Sequence, residues 1–297
     1  MTTASRLPRM GVTFRPQLPP ERLRDFVVSA EAAGLTDVWL WEDCFLEGGL
    51  TTAAAALAWT SSVRVGLGLM PVPLRNPALA AMEVATLARL FPGRFVPAAG
   101  HGVLDWMDQA GAQAASPMAL LREWVTAVRA LLHGQTVTVS GRYVRLREVA
   151  LDWPPDAAAP LLVGARGPKT LALAGEVADG VVLDGGTTPD GVRRALATVT
   201  GQRPYEVVVY LLCGAGERGK RLVEAELAGR ALSLPDGAAA GSPADVARAI
   251  HALAHAGAST VVLYPAAADQ DSEALIALAS AAQGMLRGDG GTPSAAN

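Results

Sequence analysis

The stretch Trp41-Glu42-Asp43-Cys44-Phe45 sets two adjacent carboxylates and a thiol between aromatic side chains. It follows an apolar run, so it reads either as a cofactor-binding, proton-handling corner or as an acidic loop that caps a helix. Gly100-His101-Gly102, with Asp105, Trp106 and Met107 behind it, offers an imidazole between two glycines. That histidine is a candidate general acid or substrate contact, or else a surface-loop residue. In Gly66-Leu67-Gly68-Leu69-Met70-Pro71 two glycines fall inside an apolar run. They mark a bulge, a ligand close to the backbone, or plain packing against a helix. The segment is not a dinucleotide fingerprint, because Pro71 stands where G-x-G-x-x-G needs its last glycine.

Gly164-Ala165-Arg166-Gly167-Pro168-Lys169-Thr170 leads directly into a helix that starts at Pro168. Free backbone N–H groups at a helix start, the helix dipole, and the charges of Arg166 and Lys169 together suit an anion such as a cofactor phosphate. The other reading is an ordinary tight turn. It is not a P-loop, which needs glycine before the lysine and one more residue of spacing. Asp184-Gly185-Gly186-Thr187 can likewise approach a cofactor or simply turn the chain. His251 and His255 are four residues apart, but Ala252, Leu253 and Ala254 between them lack the glutamate of a zinc-protease helix. They also fall off the apolar stripe of Val246, Ile250 and Leu253, so no metal site is expected there. A nucleophile elbow G-x-S-x-G is missing, which weakens hydrolase readings and favours a cofactor that carries the chemistry itself.

Eight apolar runs place these segments: Gly11-Phe14, Asp37-Trp41, Val63-Leu69, Arg94-Ala99, Leu161-Gly164, Gly180-Leu183, Glu206-Leu212 and Thr260-Tyr264. Runs apolar on both faces read as parallel strands buried under helices. The first intervening helix carries Leu23, Phe26, Val27, Ala30 and Ala33 on one stripe and stops at Gly34. Asn76-Pro77, Ser116-Pro117, Thr188-Pro189 and Ser242-Pro243 each pair a capping residue with a proline suited to the first helical turn. Ser242 and Asp245 resemble a capping box. Strand–helix alternation of this kind closes into a (β/α)8 TIM barrel, an α/β fold whose active site lies on the loops after the strands. Thr136-Val139 and Arg142-Leu146 around Ser140-Gly141 read as a β-hairpin inserted between helix four and strand five.

With 297 residues, the chain matches the roughly 250 or more that one barrel requires. A single domain over residues 1–287 is expected, with a disordered tail over 288–297 rich in Gly, Ser, Thr, Pro and Ala. The formal charge of -3 gives no reason to expect nucleic acid or an anionic membrane surface. The two cysteines, Cys44 and Cys213, form neither a disulfide framework nor a metal motif, so a reducing cytoplasmic setting is expected. No signal peptide or membrane-spanning run is read.

The segment Leu161 to Leu171, followed by Ala174-Gly175-Glu176-Val177-Ala178-Asp179-Gly180-Val181, closely resembles the luciferase-like oxidoreductases. Within them it is most similar to the branch of methylenetetrahydromethanopterin reductase, which uses the deazaflavin F420. Supporting segments are Glu31 to Trp39, Val65-Gly66-Leu67-Gly68, Pro73 to Pro77 and Gly93-Arg94-Phe95, and the likeness runs from about Met10 to Ser280. The resemblance implies a non-prolyl cis peptide at Gly68-Leu69 backing the cofactor ring, with Trp41, Met70 and Asp184 nearby. It implies a cofactor phosphate at Gly164, Ala165, Arg166, Gly167, Pro168, Lys169 and Thr170. The cofactor is expected to be F420, with FMN as the alternative. The expected reaction is hydride transfer with a small molecule bearing a C=N or C=C bond, or monooxygenation if FMN is used. A ligand-binding barrel without turnover is the remaining reading. The family often dimerises, so a homodimer is expected. Asp43 matches the acidic member of the family's Asp-His pair, but Cys44 stands in place of the histidine. An unperturbed thiol, with a pKa near ~8.5, is a poor acid at neutral pH. The proton donor then moves to His101 or Glu42, or the substrate calls for a different donor.

Overall fold

The structure, a computed structural model, describes residues 7–200, 204–229, 234 and 237–288. The first half runs β1 (Arg9–Phe14), α1 (Leu23–Ala32), β2 (Asp37–Leu40), α2 (Gly49–Trp59), β3 (Arg64–Pro71), α3 (Pro77–Leu90), β4 (Phe95–Gly100), α4 (Leu104–Gln109) and α5 (Pro117–Leu132). A hairpin of β5 (Val137–Ser140) and β6 (Arg145–Val149) follows, then β7 (Leu162–Ala165), α6 (Pro168–Val177), β8 (Gly180–Leu183) and α7 (Pro189–Leu196). The chain ends with β9 (Glu206–Ala215), α8 (Gly216–Gly229), β10 (Ala238–Gly241), α9 (Pro243–His255), β11 (Thr260–Pro265) and α10 (Ser272–Arg287).

The eight expected runs are the barrel. Strands pair in parallel in the order β1, β2, β3, β4, β7, β8, β9, β11, and β11 closes onto β1. The hairpin lies outside as a separate antiparallel sheet. One strand was not anticipated. Ala238–Gly241, which looks on sequence like no more than an alanine run, forms β10 along Leu212–Ala215 of β9, above Val209, where the pairing with β8 ends. The capping signals at Asn76, Thr188 and Ser242 hold, each side-chain oxygen accepting a backbone N–H, and Ser242 with Asp245 forms a full capping box. Ser116 makes no such bond. The expected tail lies outside the described residues except for Gly288, whose left-handed φ of 80° ends α10.

Residues two apart on a strand share a face, and this alternation builds the barrel interior in layers. At the bottom, Arg64 donates to Asp37 (2.8 Å) and to Glu206 (2.8 Å), while Arg9 donates to the other Asp37 oxygen (2.8 Å). Two residues further along come Trp39, Val208 and Val262, packed with Val96, Leu162 and Val182. A Cβ at Gly66 would lie 2.3 Å from the Trp39 indole, so the small residue on β3 is what lets the large one on β2 turn inward. Above them stand Trp41, Tyr210 and Tyr264. The remaining strand faces pack outward against the helices.

Two consequences for stability follow. Asp37 is 1% exposed and serves two arginines, so Asp37→Ala strands buried positive charge and is expected to cost about 3–5 kcal/mol in urea denaturation. Glu31 on α1 accepts the backbone N–H groups of Ser61, Ser62 and Val63 ahead of β3. Burial alone would raise its pKa, but these hydrogen bonds, led by Ser62, bring it from 4.5 down to about 2. Its stabilisation is therefore full above pH 4.5 and lost as the pH falls toward 2. The melting-temperature gap between the parent and Glu31→Gln is expected to close across that window.

Candidate active site

The C-terminal mouth of the barrel is organised around a break in β3. The register of β3 against β4 shifts between Leu67 and Met70, and the Gly68–Leu69 peptide is cis, as the resemblance implies. The Leu69 side chain lies across the ends of β4 and β7. A Cβ at Gly100 would come within 2.5 Å of it, and one at Gly164 within 2.4 Å. Met70 is fully buried in the layer between strands and helices, so its side chain takes no part in the mouth.

Opposite the break stands an aromatic wall. Trp41 meets Tyr210 edge-on at 5.5 Å and Tyr264 at 5.4 Å, and the two tyrosines meet edge-on at 6.2 Å. The Arg15 guanidinium sits 5.2 Å over the Trp41 ring. A Cβ at Gly68 would come within 2.6 Å of the Tyr210 hydroxyl, and one at Gly185 would overlap the Tyr264 hydroxyl.

The titratable groups differ sharply in what holds them. Glu42 is gripped at both oxygens by Arg75, at 2.5 and 2.9 Å, and Arg75 is itself fixed by the Trp124 indole donating to its carbonyl oxygen. Glu42 is thus an anchor for the loop rather than a mobile proton carrier. Asp43 accepts only a long hydrogen bond from Gln17 (3.4 Å), and burial raises its pKa against the pull of Gln17 and Arg15. Burial, then the charges of Glu42 and Asp43, push the Cys44 thiol up, so it stays protonated at neutral pH. Burial lowers the pKa of His101, leaving a neutral imidazole whose buried Nδ1 has no hydrogen-bond partner. Glu47, which the sequence reading passed over, lies in the same loop. Burial and the nearby charge of Glu21 push its carboxyl up to about 7, and its buried Oε1 has no partner.

A second cleft opens beside the mouth, between the turns after β7 and β8. Arg166, Asp184, Gly185, Thr187, Thr188 and Arg194 line about 500 Å³ of it. Gly167 is the N-cap of α6 and gives its first turn no side-chain cap; Pro168 is the first helical residue. Arg166 pairs with Asp184 across the cleft, which neutralises a carboxylate that would otherwise repel an anion. Lys169 is exposed, and the Thr170 hydroxyl turns toward the Met118 sulfur at 3.6 Å. The uncapped helix start together with Arg166 and Arg194 fits a phosphate group. His251 and His255 are exposed on α9, and among the described residues no group of metal-binding side chains forms.

A family model described as luciferase-like monooxygenase matches residues 4–224. The chain belongs to this family. It is 28% identical over 204 residues to a 5,10-methylenetetrahydromethanopterin reductase of Methanolobus tindarius, a match covering 67% of this chain and 62% of the relative, so it spans less than two-thirds of that relative's length. Its fold superposes on a coenzyme F420 dependent tetrahydromethanopterin reductase from Methanopyrus kandleri with a TM-score of 0.80 at 20% identity, covering 93% and 98% of the two chains. A Type II Baeyer-Villiger monooxygenase of Pseudomonas putida, in complex with FMN, gives 0.72 at 18% identity, covering 92% and 96%.

In this luciferase-like barrel, then, the mouth brings together Trp41, Asp43, Cys44, Gly68 and Leu69, while the second cleft gathers Ala165, Arg166 and Asp184. Tyr210, Tyr264 and Arg75 escaped the sequence reading; the spacings Val208-x-Tyr210 and Val262-x-Tyr264 carried the signal for the tyrosines. Among the described residues no helix is long and apolar enough to cross a membrane. Because the folded pKa of Glu47 lies above its ordinary 4.5, this residue costs stability as the pH rises from 4.5 to about 7. Glu47→Gln is therefore expected to melt above the parent at pH 8 and level with it at pH 4.

Proposed function

We propose that this protein is an F420-dependent oxidoreductase that moves hydride between the deazaflavin and a C=N or C=C bond of a small-molecule substrate. The observation that carries the reading is the register break of β3 at Gly68 and Leu69 facing the aromatic wall, with a phosphate-suited cleft beside it. Gly68, Leu69 and Trp41 would hold the ring, and Arg166, Arg194 and the first turn of α6 the phosphate. When bound, the deazaflavin supplies the hydride-transferring carbon. The chain's own part is to orient and to manage protons. Leu69 and the glycines facing it set the floor. Glu42, locked to Arg75, fixes the loop that carries Asp43 and Cys44. Asp43 with its raised pKa, neutral His101 and Glu47 are the groups able to hold or release a proton near neutral pH.

The relatedness to a methylenetetrahydromethanopterin reductase supports the deazaflavin, and the FMN complex of the Pseudomonas putida neighbour supports FMN as the second reading. A cytoplasmic homodimer completes the proposal, with Leu79, Met82 and Leu90 exposed on α3 as apolar surface that pairing would cover.

Titration of the purified protein with oxidised F420 and with FMN in parallel, read by cofactor fluorescence, tests the reading. Micromolar F420 binding without a response to FMN is the expected outcome. Preference for FMN would replace hydride transfer with oxygen chemistry. Tight F420 binding with no hydride passing to any acceptor would make the chain a ligand-binding barrel.

A further inference from the structure

Large apolar side chains left in water as a group, beside a site, mark a surface that meets an apolar molecule. In this barrel they gather on one side of the mouth. The loop after β2 exposes Phe45 (65%) and Leu46 (53%), the turn after β3 exposes Leu74, and the loop after β4 exposes Val103 (47%) and Leu104 (52%). These strands are neighbours, and their loops meet. Arg75, next to Leu74, grips Glu42, and a Cβ at Gly102 would come within 3.1 Å of Pro71. Among the described residues, the loops after β1, β7, β8 and β11 expose no large apolar side chain. The side after β7 and β8 carries Arg166, Asp184 and Arg194 instead. The apolar side also has no cation to spare. Arg75 is the only arginine or lysine over residues 41–48, 71–76 and 101–109, and Glu42 and Glu83 take up its charge. Arg15, which reaches Trp41 from β1, donates to Gln17 and to the Pro265 carbonyl oxygen. Asp43, Glu47, Asp105 and Asp108 stand in the same loops. An anionic substrate would meet carboxylates there, and cations already engaged.

We propose that the lip formed by Phe45, Leu46, Val103 and Leu104 receives the body of the substrate, and that the substrate class is uncharged apolar molecules: a hydrocarbon chain or ring attached to the reducible C=N or C=C bond. The inference rests on the F420 reading above. Continuity with the site is what favours a substrate over a partner protein. Phe45 directly follows Asp43 and Cys44, and Val103 stands two residues after His101. A molecule lying along the lip therefore has one end among the groups able to hold or release a proton. Its double bond takes a hydride at one atom and a proton at the other, the deazaflavin going from reduced to oxidised. Leu79, Met82 and Leu90 on α3 adjoin none of those groups in the chain and belong to the surface that pairing would cover. The lip sets specificity by covering apolar surface, a gain that grows with each methylene removed from water, while the carboxylates in its loops turn anions away.

The test uses the full chain, with and without F420, and calorimetric binding of 2-pentanone, 2-heptanone and 2-nonanone. These uncharged ketones differ only in chain length and stand for the reduced product of an enone. Affinity is expected to rise about 2- to 4-fold for each added methylene. Heptanoate, an anion of the same length as 2-heptanone, is expected to bind at least about tenfold more weakly than that ketone. Phe45→Ser and Val103→Ser are each expected to flatten the rise, weakening 2-nonanone by about 3- to 10-fold and leaving 2-pentanone within about twofold. Val103 is the N-cap of α4 and makes no side-chain bond to it, so serine there suits the helix start and keeps the test open if Phe45→Ser melts early. Met82→Ser on α3 is expected to leave the series unchanged. No rise with chain length, a rise that survives both folded variants, or heptanoate binding as tightly as 2-heptanone overturns the proposal. So does a rise that stays while Phe45→Ser and Val103→Ser lower the oligomeric mass, which would make the lip a subunit contact. If F420 binds and the rise is absent, only the lip fails. If the rise and its loss in the variants stand but F420 does not bind, the lip is upheld as an apolar binding surface and the function reading is what failed.

Discussion

A closed eight-stranded barrel has an interior just wide enough for side chains to fill, and here that space is settled by one pairing. The Trp39 indole occupies the middle of the barrel because Gly66 on the neighbouring strand yields the room. Everything else inside takes its height from that ring. Below it the interior is narrow and charged, with Arg64 between two carboxylates. Above it the space widens onto Tyr210, Trp41 and Tyr264, and the break at Gly68–Leu69 can turn toward the axis. A larger residue at position 66 would force the indole outward and remove the platform under the mouth.

The two ends of the barrel are built on opposite principles. At the bottom each carboxylate oxygen of Asp37 has its own arginine, and Glu206 is shared by Arg64 and Thr260. At the top, burial raises the carboxyls of Asp43 and Glu47 and lowers the imidazole of His101, so each is pushed toward its neutral form. Satisfied polarity at the bottom gives rigidity, while burial at the top disfavours charge. The same contrast recurs within one loop. Glu42 and Asp43 are neighbours in sequence, yet the first is clamped by Arg75 and the second retains only a long bond to Gln17.

How much of this was legible beforehand follows from which forces act locally. The eight strands and the helix starts were readable because burial on two faces and proline-led caps leave their pattern in a few consecutive residues. β10 was not, since Ala238–Gly241 is too short and too small in side chains to announce a strand; it exists because β9 extends past the end of β8 and offers an open edge. The segments of the mouth were found from their place after strands, but their internal division of labour was not. Nothing in Trp41 to Phe45 says that Arg75, more than thirty residues away, would claim Glu42. Tyr210 and Tyr264 were hidden for a different reason: inside an apolar strand they look like ordinary core, and only the inward register sets them apart.

The joint between the turn after β8 and the start of β10 has a consequence of its own. Gly186 donates its N–H to the carbonyl oxygen of Gly237 at 3.3 Å, and a Cβ at Gly237 would lie 2.3 Å from the Gly186 backbone. One wall of the cleft beside the mouth is therefore riveted backbone to backbone, with no side chain in the joint. Its width is set independently of its charge. Descendants of this sequence could exchange Arg166, Asp184 or Arg194 and so retune the charge of the cleft, while its frame keeps its dimensions. Shape and selectivity are, at this corner, separately heritable.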